Sequence, residues 1–280
     1  MTGKNKNTML AMIQSPVLWG SAASFGFYYA IQSGFIQHPL IYRYFASHPV
    51  EYIATTMFFV GLAGLVLKFF QLLWEPNVSG VSVLGPFVQE EVNVSNCHHL
   101  LETIRQKPPK IRQSPLADRI TRGIQYVSRR KTCEGLESHL RLLAEQAEER
   151  SSSGYSTVRI IISTIPILGF LGTVIGITRA VAELASLVGD ISFEEAINSV
   201  VSGLSVAFDT TALALALSIM LMFGMFFVHR WESSRLSQVE DQAESALIGR
   251  FYVEVEQEDP HLVAIRSIGS EVIQSTERLV

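Results

Sequence analysis

Four stretches of this chain carry no formal charge for sixteen residues or more: Asn7 to Tyr42, the residues between Glu51 and Lys68, those between Arg159 and Arg179, and Thr210 to Val228. Hydrocarbon offers backbone N–H and C=O groups no partner, so an apolar run of ~20 residues reads as a helix closing its own hydrogen bonds across ~30 Å. The runs predict spans at 16–36, 52–74, 159–184 and 198–229. The expected fold class is all-α: a four-span helical membrane protein whose long helices extend into a cytoplasmic helical domain. The first run is too long for a signal-peptide core and has no convincing small-residue cleavage site after it, so it is expected to be retained. The chain is 48% hydrophobic and only 17% charged, with the polar residues bunched, which is the profile of a membrane protein with a soluble part. Its net charge of −4 decides little.

Orientation follows from where Lys and Arg collect. Glu75 to Val158 holds eleven basic residues against ten acidic ones, whereas Ser186 to Ile197 has Asp190, Glu194 and Glu195 and no base. The positive-inside rule places the middle segment in the cytoplasm. Lys4, Lys6, Arg230 and Arg235 agree, so both termini are expected there too. Cys97 and Cys133 both lie in this polar middle, which suits a reducing compartment better than a disulfide scaffold.

The expected organisation is an N-terminal region with two spans over 1–74, a cytoplasmic helical domain over 75–158, a hairpin of the last two spans over 159–235, and a cytoplasmic tail over 236–280. Lys68 and Trp74 close the second span as a snorkelling ammonium and an interfacial indole. Helices are expected at about 88–106, 115–131 and 134–150, the first two separated by the breaker KPPKIRQSP. In the third, Leu136, Leu140, Leu143 and Ala147 recur at helical spacing. SSSGYSTV reads as a short hinge. After the fourth span Leu236, Val239, Ala243, Ala246 and Leu247 extend an apolar stripe, so that helix is expected to run on to about Gly249.

The hairpin carries the informative pattern. In GFLGTVIGI, residues 169–177, Gly169, Gly172 and Gly176 line one side of a helix; in GLSVAFDTTALAL, residues 203–215, Gly203, Ala207, Thr211 and Ala214 do the same, and Ser218 continues the stripe. Small residues at such spacing let helix backbones approach closely in lipid. Plain helix packing explains the stripes when each is taken alone. Thr173 lies fourteen residues from Arg159, roughly 21 Å, and Thr211 nineteen from Arg230, roughly 28 Å, so the hydroxyls can share a layer. Around an axis of several subunits, Thr173, Thr211 and the adjoining Thr210 become candidate ion-pathway residues. Asp209 is a carboxylate within an apolar segment, expensive unless paired or wet. Either it works in the ion pathway, or it is a protonated or hydroxyl-bonded structural residue touching Ser202 or Ser205. With Thr211 on the pore, Asp209 faces a neighbouring helix or subunit.

GFLGTVIGI, the hairpin after it and GLSVAFDTTALALALSI resemble the core of the MotA/TolQ/ExbB proton-channel family, over roughly residues 155–235. The resemblance implies that Thr173 and Thr211 correspond to pore-side threonines. It further implies a homopentamer around two helices of a small single-span MotB/TolR/ExbD-like partner, whose membrane aspartate carries a translocated H+ or Na+. The setting it implies is a bacterial inner membrane, with proton-motive force driving mechanical work such as transport across the envelope or motility. Four spans are more like the flagellar members than TolQ or ExbB, and Asp209 stands where the ExbB and TolQ pattern is apolar.

No cofactor is expected, and no enzyme: phosphate loop, nucleophile elbow and paired catalytic carboxylates are all missing from the sequence, as is a stacked aromatic and basic surface for nucleic acid. Cys97, His98 and His99 lack ligand spacing for a metal. Arg179 and Glu183 read as an anchoring i,i+4 pair, and Arg129, Arg130 and Lys131 as a solvated face. The competing reading is a non-conducting oligomeric scaffold in the bilayer that recruits a cytoplasmic partner.

Overall fold

A computed structural model describes residues 15–75, 83–84, 97–186 and 193–251. Among them every regular element is a helix: α1 (Pro16–Gln32), α2 (Pro39–Phe45), α3 (Pro49–Trp74), α4 (Cys97–Gln106), α5 (Pro109–Arg112), α6 (Pro115–Arg130), α7 (Leu136–Gly154), α8 (Ser156–Ser186) and α9 (Phe193–Phe251). The chain divides into two compact units. The first takes residues up to Asn77 together with Ala144–Ser237, and the second takes Val78–Leu143 and the residues from Gln238 onward.

Three of the described helices are long and apolar enough to cross a membrane: α3, the helix that includes α8, and α9. The first predicted span is a helix, α1, but of 17 residues rather than 21. It stops because Gly34 turns the chain at φ +74° and Pro39 then starts a new helix, which the sequence reading did not anticipate. Prolines open α1, α2 and α3 at their first turn, where a missing N–H is not missed. α3 also has a capping box: the His48 side chain accepts from the Val50 N–H at 3.3 Å while Glu51 reaches back to the N–H groups of Ser47 and His48.

In the first unit α1 packs on α3, where Gly20 lies directly against the Val60 backbone and the Ser24 and Thr56 hydroxyls meet at 2.9 Å. α3 packs in turn on α8 and α9, with Phe58, Leu65, Ile161, Ile165, Leu217 and Leu221 in a common core. The predicted hinge SSSGYSTV is almost wholly helical. Only Tyr155 interrupts it, and Tyr155 is buried with its hydroxyl donating to Glu232 at 2.7 Å. Serine-rich composition suggested freedom that a buried phenol removes.

The second unit has its own core. Leu100 and Ile104 of α4, Ile120, Ile124 and Val127 of α6, Leu136 and Leu140 of α7, and Ala243 and Leu247 of α9 are all buried in it. Gly123 is the position of closest approach: a Cβ there would lie 2.5 Å from the Leu247 side chain. Ser114 caps α6 by accepting from the Ala117 N–H, and Lys131, in the left-handed region at φ 55°, ends it. The breaker KPPKIRQSP contains the single turn α5. The predicted helix at 88–106 is described from Cys97 onward, residues 88–96 lying outside the described residues.

Candidate functional site

The site is a layer of polar side chains in the first unit, held by the close antiparallel contact of α8 and α9. A Cβ added to Gly169 would lie 2.5 Å from the Ala214 Cβ; on Gly172, 2.6 Å from the Thr210 hydroxyl; on Gly176, 2.8 Å from the Ala207 Cβ; on Gly203, 2.7 Å from the Ala180 Cβ. Only hydrogen fits at these four positions. Ser218 adds a bond of another kind. Pro166 inside α8 has no N–H to give the carbonyl four residues back, that of Ile162, and the Ser218 hydroxyl of α9 donates to it instead at 2.8 Å.

The pairings fix the register. Gly172 opposite Thr210 and Gly176 opposite Ala207 put Thr173 level with residues 209 and 210, so Thr211 is within about 3 Å of it along the axis. The unequal distances to Arg159 and Arg230 arise because Arg230 lies further along its helix than the level of Arg159. Thr173 and Thr211 are both half-buried, and Thr210 is buried. All three hydroxyl protons are spent on helix carbonyls. Thr173 donates to Phe170 at 2.6 Å, Thr210 to Ala207 at 2.9 Å, and Thr211 to Gly169 of the facing helix at 3.1 Å, with Ala207 as a longer alternative at 3.3 Å. What Thr173 and Thr211 leave uncommitted is oxygen lone pairs.

Asp209 is buried, with 8% of its surface exposed, and its hydrogen bonds run to Arg43 and not to Ser202 or Ser205, the serines expected beside it. Arg43 of α2 donates to it twice, from Nε at 2.6 Å and from Nη2 at 3.1 Å, and the same Nη2 reaches the Ser205 hydroxyl at 3.1 Å. The fork matches both carboxylate oxygens. The hydrogen bond to Asp209, followed by its charge, holds the Arg43 guanidinium above its ordinary value. Ser202 is exposed. Beside the pair, Glu51 is buried with 1% of its surface exposed.

A second polar cluster lies at the other end of the same helices. Glu232 of α9 accepts from Lys68 of α3 at 3.0 Å and from the Tyr155 hydroxyl, while Lys68 also sits over the Tyr155 ring. Lys68 is thus a cross-helix partner as well as a boundary residue. Arg235 donates to the Leu72 carbonyl in the last turn of α3 and to that of Glu75, the residue that caps it. Asp209 and Glu232 are 23 residues apart on α9, about 34 Å, against ~30 Å of hydrocarbon. The ion pairs therefore bracket an apolar slab, and Asp209 marks its rim rather than its middle.

Arg43 and Glu51 were visible in the sequence only as borders of charge-free runs. The signal that marks Arg43 is its isolation, a lone strong charge in a connection between two apolar helices. Glu51 is marked by its place three residues after His48 in HPVE, a capping-box spacing. Glu183 and most of the 186–197 connection lie outside the residues whose side chains are described, so the anchoring pair with Arg179 does not enter the site.

Residues 111–241 match the model of the MotA/TolQ/ExbB proton channel family. The match covers the whole hairpin, including the small-residue contacts between α8 and α9 and the residues Thr173, Asp209, Thr210 and Thr211, leaves Arg43 and Glu51 outside it, and begins upstream of the 155–235 stretch that carries the resemblance in the sequence. No curated protein and no solved structure matches the chain.

Proposed function

We propose that this chain, with a proton-channel-family region over residues 111–241, is an ion-channel subunit of a bacterial inner membrane that converts proton-motive force into movement of a partner. The observation that carries the reading is the layer formed by Thr173, Thr211 and Asp209 inside the region that the family model matches, with Arg43, which precedes that region, as the partner of Asp209. The hydroxyls of Thr173 and Thr211 have given their protons to carbonyls, so they act as acceptors. Acceptor oxygens suit hydronium, water or a bare cation. A ring of them, supplied by several copies, replaces part of an ion's hydration shell at the rim of the apolar slab.

In this reading the complex is a homopentamer of four-span subunits, with α1 as the shortest span and both termini in the cytoplasm. A small single-span partner of MotB/TolR/ExbD type occupies its axis and offers a carboxylate to which the ion, H+ or Na+, is handed. Neutralising that carboxylate changes which surface of the ring it prefers, and a difference in preference is what moves one part against another. Arg43 fits the same picture by fixing the charge of Asp209 at the rim, so that this carboxylate orients α2 and α9 while the threonines face the passage.

The test is proton flux in liposomes holding the complete complex, with Thr173→Val and Thr211→Val. Valine keeps the shape and removes the oxygen. The reading predicts that flux falls about tenfold or more, the effect of ~1.4 kcal/mol on a barrier. Undiminished flux overturns the assignment of the layer. A complex that assembles, binds its partner and never conducts favours the scaffold instead.

A further inference from the structure

Glu51 has two oxygens in unlike settings. Oε2 accepts from the backbone N–H groups of Ser47 at 2.8 Å and His48 at 3.0 Å, as a capping-box carboxylate should. Oε1 is buried with no hydrogen-bond partner, and one turn further along α3 the buried Thr55 Oγ1 is likewise without one. Residues i and i+4 share a helix face, so the two buried oxygens lie on the same side of α3, with no hydrogen bond between them. Capping boxes lie at surfaces, where water serves the second oxygen; Glu51 is 1% exposed and Thr55 fully buried.

The surroundings decide the charge. Asp209 of α9 is within electrostatic reach of Glu51, and Arg43 of α2 spends Nε and Nη2 on Asp209 and Ser205. Tyr28 of α1 stands beside Thr55, stacks on Tyr52 at 4.6 Å and donates to the Phe45 carbonyl at 3.3 Å. His48 caps the helix, with Arg179 of α8 in its field. An ionised Glu51 would place a second negative charge in a dry spot beside Asp209 with one oxygen unserved, an arrangement that buried carboxyl groups avoid by taking up a proton. The two backbone N–H groups and the start of α3 favour the anion, but they bond Oε2, and the carbonyl oxygen of a neutral acid still accepts them, less strongly than a carboxylate does.

We infer that Glu51 is a proton-binding site of this chain, holding its carboxyl as the neutral acid with the proton on Oε1. The ligand is a proton; binding it removes the second negative charge from the dry spot beside Asp209 and leaves Oε2 accepting from the two backbone N–H groups. Use of the site as a stop for translocated protons beside the threonine layer rests on the channel reading above, whereas the protonation does not.

The experiment is infrared spectroscopy of the full chain in its membrane complex at neutral pH, with wild type, E51Q and D209N. The expected result is a protonated-carboxyl C=O band that moves with 13C-labelled glutamate but not 13C-labelled aspartate, shifts in D2O, vanishes in E51Q and survives in D209N. A wild-type complex with no glutamate-derived band overturns the inference whether or not E51Q folds, and so does a band that persists in E51Q. Proton flux measured on the same samples separates the two readings. A complex with the band and no flux sinks the channel and keeps the proton site; flux without the band does the reverse.

Discussion

Asp209 owes its place to a residue 166 positions earlier in the chain, Arg43, and the energetics of the pair are asymmetric. Removing Arg43 leaves a buried carboxylate without the two donors that serve it, whereas removing both charges leaves a neutral amide in a polar neighbourhood. Arg43→Ala is therefore expected to lower the thermal midpoint of the detergent-solubilised chain more than Asp209→Asn does, and the double variant to recover part of the loss. Additive losses would show that the two side chains do not depend on each other. Arg43→Lys should fall between, since an ammonium cannot bond both carboxylate oxygens in a planar fork. Ser218 is the second such residue. Its hydroxyl occupies a carbonyl that Pro166 has left without a donor, so Ser218→Ala orphans a buried acceptor and should cost about 1–2 kcal/mol of stability in an unfolding titration. Ser218→Thr keeps the hydroxyl and should cost less; equal losses would show that volume matters there and not the hydrogen bond.

Among the helices, the α8–α9 contact is set by absent side chains. Gly176 has the Ala207 Cα 3.1 Å and the Gly203 carbonyl 3.2 Å from where its Cβ would be, both backbone atoms that cannot rotate away. Gly176→Val should force the helices apart at a cost of about 1–3 kcal/mol, seen as a lower unfolding midpoint, while a variant as stable as wild type would contradict the packing. In the second unit, Cys97 is buried and burial pushes its thiol up, whereas Cys133 is half-buried. Alkylation of the folded chain at mildly alkaline pH is expected to modify Cys133 well before Cys97. Equal rates would place Cys97 at the surface. Helices were readable in the sequence where a single physical demand ran unbroken along the chain. The charge-free runs located α3, α8 and α9, and the stripe from Leu236 to Leu247 correctly carried α9 past its apolar part. Boundaries were less readable where local composition and tertiary contact disagree: serines and a glycine at 151–154 suggested a hinge, but buried Tyr155 and its bond to Glu232 hold that segment as helix. The seven-residue α2 gives too short a pattern to read. Arg43 and Glu51 escaped notice for the same reason, since what defines each is a partner or a burial that only the packing of distant helices creates.

For the whole molecule, two ion pairs about 34 Å apart along α9 and a polar layer just inside one of them describe a membrane subunit with a marked rim. The lone chain presents Ile167, Phe170, Val174, Phe208, Leu215 and Phe223 at its surface along α8 and α9, an apolar area that lipid or further copies of the chain would cover. The central claim is that the half-buried hydroxyls of Thr173 and Thr211 border a hydrated passage once copies assemble. It is tested most directly by placing cysteine at each position in a chain with Cys97 and Cys133 replaced, and following reaction of the assembled complex with a charged, membrane-impermeant thiol reagent. The account predicts that both positions react, and that flux falls as they do. Cysteines at 173 and 211 that stay unmodified in a complex shown to be assembled and conducting would contradict it.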